Sequence, residues 1–362
     1  MSTNKRKQYT RLHSTQRKAE RSKLRFKRIK RLRNIAKQNP FVNVKRFKTG
    51  NYPKQLRNRL KAILAPKVFS MLRNTIEMCV FISRIQQEYD KKRGVFISME
   101  QVESIDHDAL VVLLSIMIKF QENSINFNGS FPLNRLAKKI VIQSGFIESL
   151  YKKSELGQYY LKGRNNKMLT TGWTKVSSDL AESIMEDITP KLFGEKRTLK
   201  GLYRVLIELM HNCHNHANPN QIGTKDWWLS INIHDEKVTF SFIDYGIGVF
   251  ESLRLKEESN IFKKWFNMVS SYLQNNAEIL HKILNGEMHQ TATNNYFRGN
   301  GLPAIMNAYD RNYISSLSII TNDVFVSVEN DVYRTMDINF NGTFVYWEIN
   351  KNTLTHPWIP LI

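Results

Sequence analysis

With 362 residues, 41% of them hydrophobic and 11% aromatic, the chain can bury substantial cores, which excludes a protein that is disordered throughout. Its two cysteines, Cys79 and Cys213, are too few for a disulfide framework, so we expect a reducing, cytoplasmic location. The formal net charge is +22, no apolar stretch reaches the roughly 20 residues of a membrane helix, and no apolar signal segment follows the basic start.

The net charge is concentrated at the beginning of the chain. Residues 1–67 contain 23 of the 54 Lys and Arg residues but only one of the 32 acidic residues, Glu20, so the remainder is neutral. A segment of this kind repels itself and gains order on a polyanion. We therefore expect residues 5–67 to contact nucleic acid through its phosphates, without sequence specificity, because no base-reading motif is present. Binding to a ribosome or an acidic protein, or a merely solvated tail, are the alternatives.

Two structural states are predicted within this basic segment. From about Ser14 to Gln38 good helix formers dominate, and Pro40 ends the run, which predicts a basic helical arm. Residues 40–67 combine basic side chains with Pro and Gly, which predicts a linker.

Residues 68–155 have the pattern of a small α/β domain. The predicted elements are a segment over 71–88 that suits a strand or a helix, strands over 94–99 and 125–127, and helices over 109–120 and 132–144. The apolar run from Ala109 to Ile118 is interrupted only by Ser115, and Asp106 and Asp108 stand where its helix starts.

This layout resembles the STAS domain of sulphate transporters and anti-sigma-factor antagonists. The resemblance is carried by Ser104-Ile-Asp106-His107-Asp108-Ala109-Leu110, by Gly129-Ser-Phe-Pro132 and by Ser144-Gly145-Phe146. It implies a docking site for a protein partner. In the antagonists a phosphorylatable serine follows the aspartate at this helix start, whereas here His107 occupies the position. Serine phosphorylation is therefore not expected, and a helix cap or a histidine phosphoacceptor are the remaining interpretations.

The first of three candidate site blocks lies on a helix predicted over 198–217, after a helix over 176–188 that Pro190 is expected to close. Its apolar stripe comprises Leu202, Leu206, Leu209, Cys213 and Ala217. Glu208, Asn212 and Asn215 lie on another side of the helix. The Asn212 oxygen suits Mg²⁺, and Glu208 could orient or deprotonate a water molecule. A solvated polar face is the alternative.

Histidines surround Cys213 within the same block, at His211, His214 and His216. We expect no zinc site there, because no second pair of ligands occurs at zinc-site spacing. Cys213 lies on the apolar stripe and is expected to pack in the core.

The second block follows two alternating strands, predicted over 227–233 and 237–243. The second strand leads directly into Asp244-Tyr-Gly246-Ile-Gly248. A carboxylate at a strand end can accept a hydrogen bond from an exocyclic amine such as that of adenine, and the two glycines let the backbone pass close to a flat ring. An ordinary glycine turn is the alternative.

The third block follows a long insertion, about 249–298, which is a candidate lid with a helical stretch around 261–283. The block reads Arg298-Gly299-Asn-Gly301-Leu302 and opens a helix over 303–308. Glycines before a helix expose backbone N–H groups to phosphate oxygens, and Arg298 could add positive charge. Strands over 316–320, 324–328 and 343–349 close the chain.

Together the blocks resemble the GHKL, or Bergerat-fold, ATPase family, which includes gyrase, the ninety-kilodalton heat-shock chaperone, histidine kinases and MutL. The family patterns Glu-x-x-x-Asn, Asp-x-Gly-x-Gly, Gly-x-Gly-Leu and a late Gly-Thr occur in the family order. The resemblance implies that residues 156–362 form a Bergerat-fold α/β sandwich, a mixed sheet covered by helices.

The resemblance also implies roles for the block residues, with ATP and Mg²⁺ as ligands. Asn212 would bind the metal, Glu208 would act as general base and Asp244 would recognise the adenine amine, supported by Thr343. Gly246 and Gly248 would shape the adenine pocket, and Gly299 and Gly301, within the motif that ends at Leu302, would hold phosphates. Many histidine kinases carry a lysine three residues after the metal-binding asparagine; here it is Asn215, so Arg298 would supply the cation.

Three activities are compatible with this pattern. The first is an ATP-hydrolysing conformational switch whose basic arm holds a polyanion. The second is a protein kinase like the anti-sigma factors, acting on a STAS-type partner, and the third is an ATP-binding scaffold without hydrolysis. The family often dimerises, so a homodimer is one expected assembly.

Overall fold

The computed structural model describes residues 60–151, 167–173, 176–215, 227–246, 248–250, 275–286 and 301–357. Its helices are α1 Thr75–Asp90, α2 His107–Glu122, α3 Arg135–Gln143, α4 Phe146–Tyr151, α5 Ser178–Phe193, α6 Lys200–Asn215, α7 Asn276–Leu284 and α8 Gly301–Asp310. Its strands are β1 Lys61–Leu64, β2 Val68–Phe69, β3 Val95–Ser98, β4 Ser104–Ile105, β5 Phe127–Ser130, β6 Lys167–Trp173, β7 Arg197–Thr198, β8 Trp227–Ile233, β9 Lys237–Asp244, β10 Ser315–Ser327, β11 Val332–Asn350 and β12 His356–Pro357. The helical arm expected within residues 1–59 lies outside the described residues.

Residues 60–151, which we call the parallel part, contain a three-stranded sheet in the order β1-β3-β5. Both strand pairs are parallel, as helical crossovers require. The first strand already begins at Lys61, so the end of the segment expected to be a linker lies in this sheet. The ambiguous segment over 71–88 is helical in α1, and the helix expected over 109–120 is confirmed as α2.

Residues 167–357, which we call the antiparallel part, contain a five-stranded sheet in the order β10-β11-β9-β8-β6. Every pairing in it is antiparallel, so the mixed sheet that we expected here is not observed. The physical reason is the connectivity, because β8–β9 and β10–β11 are joined by short hairpin turns that only antiparallel neighbours allow. The two strands expected over 316–328 form one bulged strand, β10, and the edge strand β6 was not predicted.

Both faces of the antiparallel sheet are covered by apolar side chains. On β9, Val238, Phe240 and Phe242 face a core shared with α5 and α6. The next residue, Ile243, faces the other way, into a core shared with α1 and α2 of the parallel part. This alternation is the period of two expected of a strand, and it explains why β8 and β9 are buried along most of their length. Residues from Leu60 onward form one compact unit.

Two further features concern single helices. Helix α5 does not end before Pro190, as expected, but continues to Phe193, and Gly194 caps it in the left-handed conformation at φ 80°. Pro190 removes one backbone donor, yet its carbonyl still accepts from the Gly194 amide at 3.0 Å. Within the described ranges, no helix has the length and apolarity to cross a lipid bilayer.

Candidate functional site

Asp244 lies at the end of β9, where the carboxylate is surrounded by donors from three segments. Thr343 stands opposite it in the β9–β11 ladder. The carboxylate accepts hydrogen bonds from the backbone N–H of Gly246 at 2.8 Å, from the Thr343 hydroxyl and from the Cys213 thiol. A carboxylate offers about four acceptor sites, so one remains for an additional donor. Asp244 as a residue is partly exposed.

Burial raises the pKa of Asp244 to about 6, against the opposing effect of these hydrogen bonds and of the positive charge on Lys119. The group is therefore ionised at neutral pH and can accept a hydrogen bond from an amine. The expected support of Asp244 by Thr343 agrees with this geometry.

Cys213 connects helix α6 to the end of β9. It is 9% exposed and lies in the core, as expected from its place on the apolar stripe. Burial, and then the neighbouring charge of Asp244, raise the pKa of the thiol well above its usual value. The thiol therefore stays protonated and acts as a donor to the carboxylate, a role that the sequence did not predict.

Asn212 precedes Cys213 and faces the start of α8. A Cβ built on Gly301 would lie 2.1 Å from the Asn212 Nδ2 atom and 2.6 Å from its Oδ1 atom. A side chain at position 301 would force the Asn212 amide to move. The first and third blocks therefore meet at this point, with the Asn212 oxygen beside the N-terminus of a helix.

Glu208 lies one turn before Asn212 on α6, and both side chains are partly exposed. Residues four apart share a helix face, so the carboxylate and the amide point to the same side of α6. The stripe behind them is buried, at Leu202, Leu206 and Leu209. Asn215 ends the helix, and its side chain lies outside the described residues.

The glycines after Asp244 are required by close contacts. A Cβ on Gly246 would lie 2.8 Å from Asp244 Oδ1. Gly248 adopts φ 77°, and a Cβ there would lie 2.4 Å from Asn322 Oδ1. The chain beyond it is fixed by the Val249 amide, which donates to Thr321 Oγ1 at 3.1 Å.

Gly342, which precedes Thr343, also lies against Asp244. It adopts φ 132°, and a Cβ there would lie 2.0 Å from the Asp244 backbone oxygen. The Thr321 hydroxyl donates to the Gly342 carbonyl at 3.1 Å. The late Gly-Thr pair therefore positions β11 directly beside the strand end that carries Asp244.

Several predicted site residues fall outside the described part of the chain. These are Arg298, Gly299 and most of the expected lid, of which residues 249–250 and helix α7 are described. Leu302 is described and is 9% exposed in the core below α8. Of the histidines near Cys213, His211 is exposed on α6.

No model of a known protein family matches the chain. No curated protein sequence matches it either.

The start of α2, where the sequence predicted a cap or a phosphoacceptor, contains two carboxylates that bond to other parts of the protein. Asp106 occupies the N-cap position, but its side chain makes no cap hydrogen bond and instead accepts from Arg73 Nε at 2.7 Å and Nη2 at 2.9 Å. Asp108 is 4% exposed and accepts from the Leu72 amide at 3.3 Å. Burial, and then the charge of Asp106, raise the pKa of Asp108 to about 7.

This helix start faces the antiparallel sheet. The charges of Asp108 and Asp106 contribute to the raised pKa of Tyr346 on β11, although burial is its main cause. The Tyr346 hydroxyl donates to Glu348, which also pairs with Lys237 at 2.8 Å. The carboxylates on either side of His107 thus interact with other polar groups of the protein.

Sequence reasoning missed one group of residues next to the site. The Tyr245 hydroxyl lies 2.7 Å from Ser115 Oγ of α2 and donates to the Val112 carbonyl at 3.1 Å. The Lys119 ammonium lies 4.0 Å from the centre of the Tyr245 ring. A signal was present, because Ser115 is the one polar residue in an otherwise apolar run.

Proposed function

We propose that the chain binds ATP with Mg²⁺ at the end of the antiparallel sheet and works as an ATP-hydrolysing conformational switch of the GHKL type. One observation carries the proposal: described members of the three site blocks and of the late Gly342-Thr343 pair lie together there. Asp244 is bonded to Cys213 and Thr343, and Asn212 touches Gly301. These contacts bring polar groups from distant blocks to one place, which supports a shared site.

The donor set suits the ligand chemically. Asp244 is ionised at neutral pH and retains an acceptor site for the exocyclic amine of adenine. The oxygen of Asn212 is a hard ligand of the kind that Mg²⁺ prefers, and Mg²⁺ when bound would neutralise phosphate charge. The start of α8 offers backbone N–H groups and the positive end of a helix dipole to phosphate oxygens.

Glu208 is the residue that we propose as general base. It lies one helical turn from Asn212 on the same face, which would hold its carboxylate near a water molecule beside the terminal phosphate. The Bergerat and STAS folds belong to this proposal as well. Helices α5 and α6 cover one face of the five-stranded sheet, and the parallel sheet has helical crossovers, although the all-antiparallel pairing of the larger sheet departs from the mixed sheet expected of the Bergerat fold.

Phosphorylation of the chain on its own STAS-like helix start is disfavoured by the contacts there. Asp106 is held by Arg73, and Asp108 is buried and bonded to the segment around Leu72. The carboxylates of both neighbours of His107, Asp106 and Asp108, therefore make structural contacts. A kinase acting on a separate partner remains an outcome of the experiment below.

The experiment incubates the full chain with γ-labelled ATP and Mg²⁺, with and without DNA or RNA. We expect free labelled phosphate, reduced at least about a hundredfold in Glu208→Gln, since a positioned base contributes roughly that much or more. Glu236→Gln is the matched control, because Glu236 forms an exposed ion pair with Lys351. Label on protein would support the kinase, and bound but intact nucleotide would support the scaffold; either result contradicts the switch.

We also propose that the basic segment, residues 5–67, holds a nucleic acid or another polyanion. Its support is the charge distribution alone, since the whole net charge of +22 belongs to residues 1–67. ATP hydrolysis at the candidate site would then regulate the binding of a polyanion by the basic segment.

A further inference from the structure

The contact between Ser115 and Tyr245 joins the parallel part to the candidate site. Ser115 is completely buried in α2, and its hydroxyl donates to the Val112 carbonyl at 2.7 Å. The Tyr245 hydroxyl completes the cluster, 2.7 Å from Ser115 Oγ and 3.1 Å from the Val112 oxygen. Tyr245 follows Asp244 directly and precedes Gly246, so this cluster is attached to the turn that carries the proposed adenine-binding carboxylate.

The turn that carries Asp244 and Tyr245 is contacted by α6 on one side and by α2 on the other. Asp244 continues the face of β9 that contains Phe242, and it bonds to Cys213 of α6. Tyr245 lies on the other face with Ile243 and packs against α2. Because adjacent residues share one backbone, a displacement of Tyr245 also moves the Asp244 carboxylate.

Lys119 of α2 interacts with both Tyr245 and Asp244. Its ammonium lies 4.0 Å from the Tyr245 ring centre, and its positive charge lowers the pKa of Asp244. One turn of α2 thus contributes both a hydroxyl contact at Ser115 and a charge at Lys119. Ser115 is the one polar residue in the apolar run of α2, and its hydroxyl lies within hydrogen-bond distance of both the Val112 carbonyl and the Tyr245 hydroxyl.

We propose that Tyr245 is a positioning residue for the base-binding carboxylate, and that it couples nucleotide occupancy to helix α2 of the parallel part. This inference rests on the proposed function. Coupling between two sites is reciprocal, so nucleotide binding should stabilise α2, and a change in α2 should alter nucleotide affinity. Nucleotide binding at the site then changes the stability of α2 in the parallel part. A partner that binds the parallel part can in turn alter the affinity for ATP.

The first test measures ATP and ADP affinity of the full chain for Tyr245→Phe, Ser115→Ala and the double variant. We expect each single variant to weaken both nucleotides about fivefold, as for the loss of one hydrogen bond. The factor should be equal for ATP and ADP, because Asp244 contacts the base, and the double variant should resemble the single ones. Tyr203→Phe, at a partly buried tyrosine of α6, is the control and should bind like the natural chain.

The second test follows hydrogen exchange of the α2 amides, residues 107–122, with and without ATP and Mg²⁺. We expect ATP to slow their exchange in the natural chain and to slow it much less in Tyr245→Phe, which a purely structural role for the hydroxyl would not produce. If the natural chain binds ATP but α2 exchange and the variant affinities are unchanged, the coupling is wrong and the proposed function stands. If the natural chain binds no nucleotide, the proposed function fails and the coupling fails with it.

Discussion

The side-chain amide of Asn212 occupies the space that a Cβ would need at Gly301. The closest approach would be 2.1 Å to Nδ2, far inside van der Waals contact. Helix α8 therefore begins against the polar face of α6 with no side chain between them. The relative position of these two helices sets the distance between the proposed metal ligand and the proposed phosphate-binding amides.

Gly301→Ala should separate these two helices at the site. We expect ATP affinity measured with Mg²⁺ to fall at least about tenfold, because displacements near 1 Å are costly for oriented groups. Gly201→Ala is the control on α6, since a Cβ there would lie 2.1 Å from Tyr313 Cβ, eleven residues before Asn212. Equal affinity losses in the two variants would show general destabilisation and contradict the assignment.

The buried carboxyl of Asp108 should make stability depend on pH. The folded protein keeps the Asp108 proton up to a pKa of about 7, whereas an unfolded aspartate releases it near pH 4. Between these values the folded state binds more protons, so the free energy of unfolding falls as pH rises. The asparagine in Asp108→Asn is neutral at every pH. Across this pH range the free energy of unfolding of the variant should therefore fall less than that of the natural chain, with a difference of at most about 4 kcal/mol.

Urea unfolding at several pH values between about 4 and 8 measures this effect. Asp235→Asn, at an exposed turn position, serves as the control and should parallel the natural chain. A curve for Asp108→Asn that also parallels the natural chain would show that the carboxyl is not responsible.

Phe344 tests whether the two parts share a core. It is completely buried on the face of β11 that packs against α1 and α2. Phe344→Ala should reduce the free energy of unfolding by about 3–5 kcal/mol. Phe131→Ala removes a phenylalanine that is 41% exposed and should cost about 0.5 kcal/mol or less. Denaturant unfolding followed by fluorescence and circular dichroism should also give one coincident transition for both parts.

The secondary structure around the site could be predicted because it follows from local sequence patterns. The alternation in β8 and β9 and the apolar stripe of α6 follow from burial on known faces. The convergence of the blocks that carry Asn212, Asp244 and Gly301 was expected only through a family resemblance, and the hydrogen bond from Cys213 to Asp244 was not predicted. The hydrogen bond between Ser115 and Tyr245 joins residues 130 positions apart, and no local pattern specifies such a pairing.

The errors have equally local causes. Strand β6 combines polar residues with Gly172 and pairs only with β8, at the edge of the sheet, so its sequence lacks the apolar alternation of a central strand. Pro190 does not end α5, because loss of one donor near a helix end costs less than the packing of Leu192 and the cap at Gly194 supply.

The basic segment should bind polyanions with strong salt dependence. Filter binding of the full chain to single-stranded and double-stranded DNA and RNA should weaken at least about a hundredfold between roughly 50 and 200 mM salt. A variant lacking residues 1–59 should lose this binding while keeping its affinity for ATP. Retention of nucleic acid by the truncated chain would contradict the assignment.

Calorimetric titration of the full chain with ATP and Mg²⁺ tests the central claim most directly. We predict saturable heat for the natural chain and for the control Asp235→Asn. For Asp244→Asn we predict affinity at least about tenfold weaker, since a charge-assisted hydrogen bond is replaced by an amide. An absence of heat from folded natural chain, or equal binding by Asp244→Asn, would contradict a nucleotide site at the end of β9.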